Sequence, residues 1–438
     1  MNHRLRCRTI LVVSVLMLFQ SGLDQAYARF ADDAVVLPQG TWRILLDSEF
    51  YPDFDKRYNQ DGNVEPLGTD LNKNLNSQVI PGLASVETAF GMPVGSATVG
   101  NSVVPYKRDL QQYFFQPAYG ITDRLSIGII VPYYHIRNII SPNAALNTSS
   151  ATVGKSPIGS TFGAPLCPLQ GCPFPDVTPL TSNDIQNYLG GGLTIGSVTI
   201  PGLGFKRVET WDGEGFGDTQ VGGRYQYFSS DIFRAAFTGG VQLPTGQVDD
   251  PNNLVDSGFG TGAYALLFRF NQDLMYQPEG IGKRLGFPEP WTGFINTTFY
   301  YDMYLPNTLK LRVCSPESPA CPTTHLVDQN LGDRFQAEIS TKVGLFTNGL
   351  IFTPMYSFAK KFKDHDSGSD GLDYSVLEIN TQQTEQIYIL SLTYTTLPLY
   401  IQKRFPFPLN ASVSYRNRFA GENVVKSHFY GLTLAAYF

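Results

Sequence analysis

Charged residues are scarce in this chain, at 16% of 438 residues, where soluble domains carry about a quarter. Long apolar runs are missing too. Beyond the first 28 residues no stretch reaches the roughly 18 apolar residues that a spanning helix needs, and the mean hydropathy is only −0.12. There is no basic patch either: the net charge is −6, falling to −8 once residues 1–28 are set aside. With no basic stripe to hold phosphates, nucleic acid is excluded as a partner. What the chain does have is aromatic residues, at 13%, and 42 glycines. Few charges, many aromatics and neutral hydropathy fit one fold class: an all-β transmembrane antiparallel barrel, whose strands show one apolar and one polar face.

The opening segment reads as a cleaved export signal. Arg4, Arg6 and Arg8 make a basic start, Ile10 to Phe19 an apolar middle, and Ala26-Tyr27-Ala28 a small-residue cleavage site. The signal peptide is therefore 1–28, and the barrel 29–438. An anchoring helix would need about twice that apolar length. Four cysteines follow as two close pairs in Pro-rich segments, Cys167 with Cys172 and Cys314 with Cys321. In an exported protein such pairs read as small loop disulfides. A zinc site would need converging ligands, and only His325 lies near.

Period-two alternation recurs in segments of about ten residues, the length of a tilted spanning strand. In 217–228, Thr219, Val221, Tyr225 and Tyr227 alternate with Gln220, Arg224 and Gln226. In 333–345, Phe335, Ala337, Ile339 and Val343 alternate with Arg334, Gln336, Glu338, Ser340 and Lys342. A charged face that regular cannot meet lipid, where Lys or Arg costs about 2–4 kcal/mol at the midplane. The same template applied throughout predicts about twelve strands: 41–51, 109–120, 124–136, 216–228, 232–244, 259–270, 291–304, 333–346, 349–361, 383–396, 408–419 and 428–438. Fourteen are possible if 83–90 supplies another with a partner. Short turns near 121–123, 229–231 and 347–349 alternate with long loops at 52–108, 137–215, 245–258, 305–332 and 362–382. Short periplasmic turns and long extracellular loops are the pattern of such barrels.

The closing strand is the most specific local feature. Tyr430, Leu432, Leu434, Ala436 and Phe438 hold alternate positions and end on a terminal Phe. This resembles the signal that the barrel-assembly machinery of Gram-negative bacteria reads on its clients. Three further blocks carry a wider resemblance: Tyr119 to Gly128 with Val131-Pro132-Tyr133, Gly215-Phe216-Gly217-Asp218, and Leu243-Pro244-Thr245-Gly246 followed by Gly260-Thr261-Gly262. In order and spacing they resemble a family of outer-membrane proteins described as channels of the phenol meta-cleavage pathway, akin to the long-chain fatty-acid transporters. The Pro-rich 137–215 insertion and the cysteine pairs depart from that pattern. The resemblance implies passive uptake of small, often hydrophobic, molecules across the outer membrane.

On the inward parity fall Arg43, Asp47, Glu49, Arg224, Arg234, Arg269, Arg334, Glu338, Lys342, Arg416 and Arg418. These are the lumen and selectivity candidates, with an interior-filling ion network as the alternative. Tyr134 and Tyr300 share that parity and could stack aromatic solutes. Two rival functions stand beside a channel. One is a plugged structural or surface-recognition barrel, with 52–108 and 137–215 folded inward. The other is an outer-membrane hydrolase using His135 or His428, though Ile136-Arg137 stands where a serine would follow His135. The expectation is no enzyme, no cofactor and no metal; the acidic run Asp364, Asp366, Asp370 and Asp373 puts Gly368 at a calcium-loop ligand position. Expected partners are outer-membrane lipid and lipopolysaccharide, the assembly machinery during biogenesis, and a small solute.

Overall fold

Strict alternation gives each segment one face for hydrocarbon and one for polar company, and a sheet of such strands is satisfied in a membrane only when it closes on itself. The computed structural model describes residues 33–276, 293–313, 323–345 and 349–438. Among the described residues twelve strands close into one antiparallel ring. They are β1 (Trp42–Phe54), β2 (Tyr106–Thr122), β3 (Leu125–Ile140), β4 (Trp211–Phe216 continued by Thr219–Ser229), β5 (Phe233–Leu243), β6 (Ala265–Tyr276), β7 (Gly293–Tyr304), β8 (Arg334–Gly344), β9 (Leu350–Lys361), β10 (Gln383–Thr395), β11 (Leu409–Glu422) and β12 (His428–Tyr437). β1 closes the ring. It pairs with β12 from Arg43↔Tyr437 to Phe50↔Tyr430 and with β2 from Trp42↔Tyr119 to Tyr51↔Leu110. Both ends of the described barrel meet there, Trp42 and Phe438 exchanging backbone hydrogen bonds of 3.0 Å.

The outward face is apolar. Leu46 is 50% exposed, Leu432 45% and Val413 56%, with Ile44, Ile127, Ile129 and Leu390 alongside. An apolar belt of that continuity around a closed ring is a lipid-facing surface. Inward lie Asn271, Asn296, Thr298 and Lys361, all inaccessible to solvent. At the end holding the barrel termini the β2–β3, β4–β5 and β8–β9 turns are short, Ser230 capping the second with its hydroxyl accepting from the Phe233 N–H at 3.1 Å, whereas the links 277–292 and 396–408 are longer. Links at the other end run to 55–105, 141–210, 244–264, 305–333 and 362–382, with 423–427 the short exception.

Two expectations need correcting. The strand placed at 259–270 runs instead over Ala265–Tyr276. Its first residues are captured by a tight knot: Asp218 Oδ1 accepts from the Gly246 N–H (3.0 Å), and Oδ2 from the Thr261 N–H (2.7 Å) and Gln242 Nε2 (3.1 Å). Residues 83–90 are no extra strand but a helix, Leu83–Phe90, ended by Gly91 in the left-handed region at φ 64°. Leu83 and Val86 share one helical face and bury it against Leu75, Val79, Val99 and Ile195, so the fourteen-strand alternative lapses. That cluster joins loops 55–105 and 141–210 in an apolar core of their own, and Cys167 and Cys172 are bonded within the second loop. Cys314, Cys321 and the 1–28 signal lie outside the described residues.

Candidate functional site: the barrel lumen

Each lumen candidate lies on the inner face, and neighbouring strands sort them by height. Near the long-loop end, Glu385 of β10 binds two cations: Arg334 at 2.9 Å and Arg418 at 2.8 Å, with Arg418 Nε also donating at 3.0 Å. Below them Arg416 lies 3.4 Å from Glu49 and over the Phe429 ring at 4.7 Å. Asp47 accepts from the Thr433 hydroxyl. Glu338 accepts from the Tyr300 hydroxyl at 2.7 Å, while the Arg269 guanidinium covers the Tyr300 ring at 5.6 Å. Buried charges of this kind are tolerable only when paired. Glu385 and Glu49 meet arginines, whereas Asp47 and Glu338 accept from the Thr433 and Tyr300 hydroxyls of neighbouring strands.

An aromatic cluster roofs the lumen at the long-loop end. Tyr51 and Phe54 of β1, Leu110 of β2, Tyr134 and Ile136 of β3 and Phe429 of β12 meet Phe259, which enters from loop 244–264. The Tyr51 and Phe429 rings stack at 4.2 Å. Phe259 enters because β4 is interrupted: Trp211–Phe216 pairs with β3 alone, and on its open flank a Cβ at Gly215 would fall 2.8 Å from the Phe259 ring. The Asp218 knot holds that flank. So the blocks around 215–218, 243–246 and 260–262, far apart in sequence, meet at one place.

The floor is a segment the sequence reading missed. Residues 33–37, ahead of β1, lie inside the lumen like a strap. Lys342 holds the Asp33 carboxylate at 2.7 Å. Arg224 donates to the Asp33 carbonyl at 2.9 Å, and Gln226 to the Ala34 carbonyl at 2.8 Å. The Ala34 N–H donates to Asp273 at 3.1 Å, and Asp273 also pairs with Arg234 at 3.4 Å. Thus Arg224 and Lys342 grip the strap directly, and Arg234 holds the Asp273 carboxylate that receives it.

Between roof and floor lies a cavity of about 360 Å³, in the lower part of the ~300–1,000 Å³ range of small-molecule sites. Small residues make room for it. Ala118, Gly128, Gly222 and Gly240 face inward at one level on four successive strands, Gly222 lying opposite both Gly128 and Gly240. Leu45, Phe114, Ile130 and Leu267 supply an apolar wall; Arg43, Arg224, Arg269 and Lys342 supply charge.

Other candidates lie apart from this cavity. His135 and His428 face outward at the long-loop rim, His135 Nε2 contacting Asp212 at 2.8 Å and the His428 ring lying 6.2 Å from Tyr415. Asp364 is engaged by Lys361 and the Gly332 N–H rather than aimed at a cation site. Tyr430, Leu432 and Leu434 face outward, and Phe438 is exposed with its ring 5.6 Å from Phe407.

No family model matches the chain, and no curated protein does. Among solved structures it is similar to an outer-membrane channel of Pseudomonas putida F1, with 11% identity, 93% of this chain and 98% of that one covered, and a TM-score of 0.48. It is also similar to the translocator domain of the autotransporter NalP from Neisseria meningitidis (8% identity, 92% and 89% covered, TM-score 0.35) and to a Pseudomonas aeruginosa FadL homologue (8% identity, 91% and 90% covered, TM-score 0.29).

Proposed function

We propose that this chain is a Gram-negative outer-membrane channel for passive uptake of small molecules, hydrophobic ones among them, and that the strap closes it at rest. One observation carries the reading. The lumen is not packed through its height, and what closes it below is a tether lying inside the ring, not side chains of the wall. The row of inward small residues leaves space in a ring already wider than the eight-stranded barrels whose interiors side chains just fill. The signal at 1–28 would export the chain, and the strand ending in Phe438 would present it to the assembly machinery. The long loops and outward rim would meet lipopolysaccharide. The hydrolase reading draws little support: the described contact of His135 is with an aspartate, and a nucleophile beside it is what that chemistry requires.

The test is single-channel recording on refolded protein. The intact chain should give small, discrete steps, and deletion of residues 33–37 should enlarge them about tenfold, as removal of a constriction does. Silence in both forms would favour the plugged reading. Ester hydrolysis by the pure protein would restore the enzyme.

A further inference from the structure

We infer that the lumen cavity binds small organic anions with an apolar body, of which an aromatic monocarboxylate is the simplest, and that Asp33 holds their carboxylate position in the resting chain. The inference rests on the channel reading for its transport role, though not for the binding itself.

The argument is one of charge matching. Elsewhere in the lumen, wall cations meet wall carboxylates: Arg416 with Glu49, Arg334 and Arg418 with Glu385, Arg234 with Asp273. Around the cavity the wall contributes Arg43, Arg224, Arg269 and Lys342, and the one carboxylate among the lining residues is Asp33. That acid belongs to the strap. It sits 2.7 Å from Lys342, and Arg224 donates to its carbonyl at 2.9 Å. Arg43 Nε has no hydrogen-bond partner among the described residues. An excess of cations lining a low-dielectric wall attracts an anion, and hydrogen bonds between ionised partners are about twice as strong as neutral ones. Two residues along the same strands from Arg43, Arg269 and Arg224 stand Leu45, Leu267 and Gly222, which with Phe114 and Gly240 offer an apolar face to the rest of such a molecule. Asp33 then acts as a tethered competitor, and a solute carboxylate that takes Lys342 also loosens the strap.

Isothermal titration of the detergent-purified full chain with benzoate and with its neutral isostere benzamide tests this. Benzoate should bind about tenfold tighter than benzamide, the value of roughly one charge-assisted hydrogen bond. Asp33→Asn should tighten benzoate by a similar factor and leave benzamide unchanged, whereas Lys342→Gln should erase the preference. Equal binding of the two probes, no binding of either, or a benzoate affinity that Asp33→Asn leaves unmoved overturns the inference. None of those outcomes touches the conductance result. Conversely, benzoate binding in a protein silent with and without its strap would keep the anion site and remove the channel.

Discussion

Strands β2 to β5 and strands β6 to β1 face the same lumen but are built by different rules. On the β6 to β1 side the inner face is crowded with paired groups, such as Glu385 between Arg334 and Arg418, Glu49 with Arg416, and Glu338 under Tyr300. On the β2 to β5 side the inner face carries a level of small and apolar residues, Ala118, Gly128, Ile130, Gly222 and Gly240, with the uncharged Gln116, Gln220 and Thr238 beside them and Arg224 the charge that lines the cavity. One half fixes the barrel. The other leaves space, and its gap at the β4 break is covered by a loop. An ion-filled interior and an open lumen are therefore not alternatives in this protein, because each occupies a different arc of one wall.

The sharpest way to break the comparison is to unpair the crowded side. Glu385→Gln leaves two buried guanidiniums facing a neutral amide, and removing one partner of a buried pair costs about 3–5 kcal/mol. Urea unfolding in detergent should show a loss of that size. Arg43→Gln, on a cation whose Nε makes no hydrogen bond among the described residues, should cost under about 1 kcal/mol. Comparable losses for the two would mean that the cavity cations are structural after all.

How far the sequence foretold this arrangement follows from period two itself. Alternation marks a strand and its faces, so all twelve strands were legible, and so were the inward positions of Arg224, Arg334 and Arg416. Pairing was not legible, because it depends on stagger between strands. Glu385 was hidden for a more specific reason: inward Ile387 and Ile389 sit beside outward Tyr388 and Leu390, so β10 shows no polar parity. Apolar composition also misled at 259–264. There Phe259 is buried in the roof rather than against lipid. The strap was invisible, since Ala34-Val35-Val36 has no alternation and precedes the first strand.

The open side can be tested at a single methyl. A Cβ on Gly240 would lie 2.8 Å from the Val221 carbonyl oxygen and 3.3 Å from the Gly222 Cα, both backbone atoms that cannot swing aside. Gly240→Ala should therefore destabilise by about 1–3 kcal/mol, as overpacking does, and weaken any solute bound in the niche. Gly223, one residue beyond Gly222 and facing out, would bring its Cβ no closer than 3.6 Å to anything. Gly223→Ala should unfold within about 0.5 kcal/mol of the parent. If both behave alike, the glycine row serves strand curvature and not the cavity.

The smallest effect concerns the cover over that open side. In loop 244–264, burial pushes the Asp256 carboxyl up to about 6, and the nearby charges of Asp249 and Asp250 add to the rise. Its Oδ2 accepts from the Asp250 N–H at 3.0 Å. Unfolded, the group titrates near 3.8, so between that value and about 6 the folded loop binds a proton that the unfolded chain does not. Stability from this group is thus fully present below the lower value and lost as pH rises through the upper one. Amides of 244–264 should exchange about fivefold more slowly at pH 5 than at pH 7 after correction for the intrinsic rate. Asp256→Asn should give slow exchange at both. Protection that stays flat with pH in the parent would mean the carboxylate is comfortably ionised there, and that the open arc is capped as firmly as the paired one.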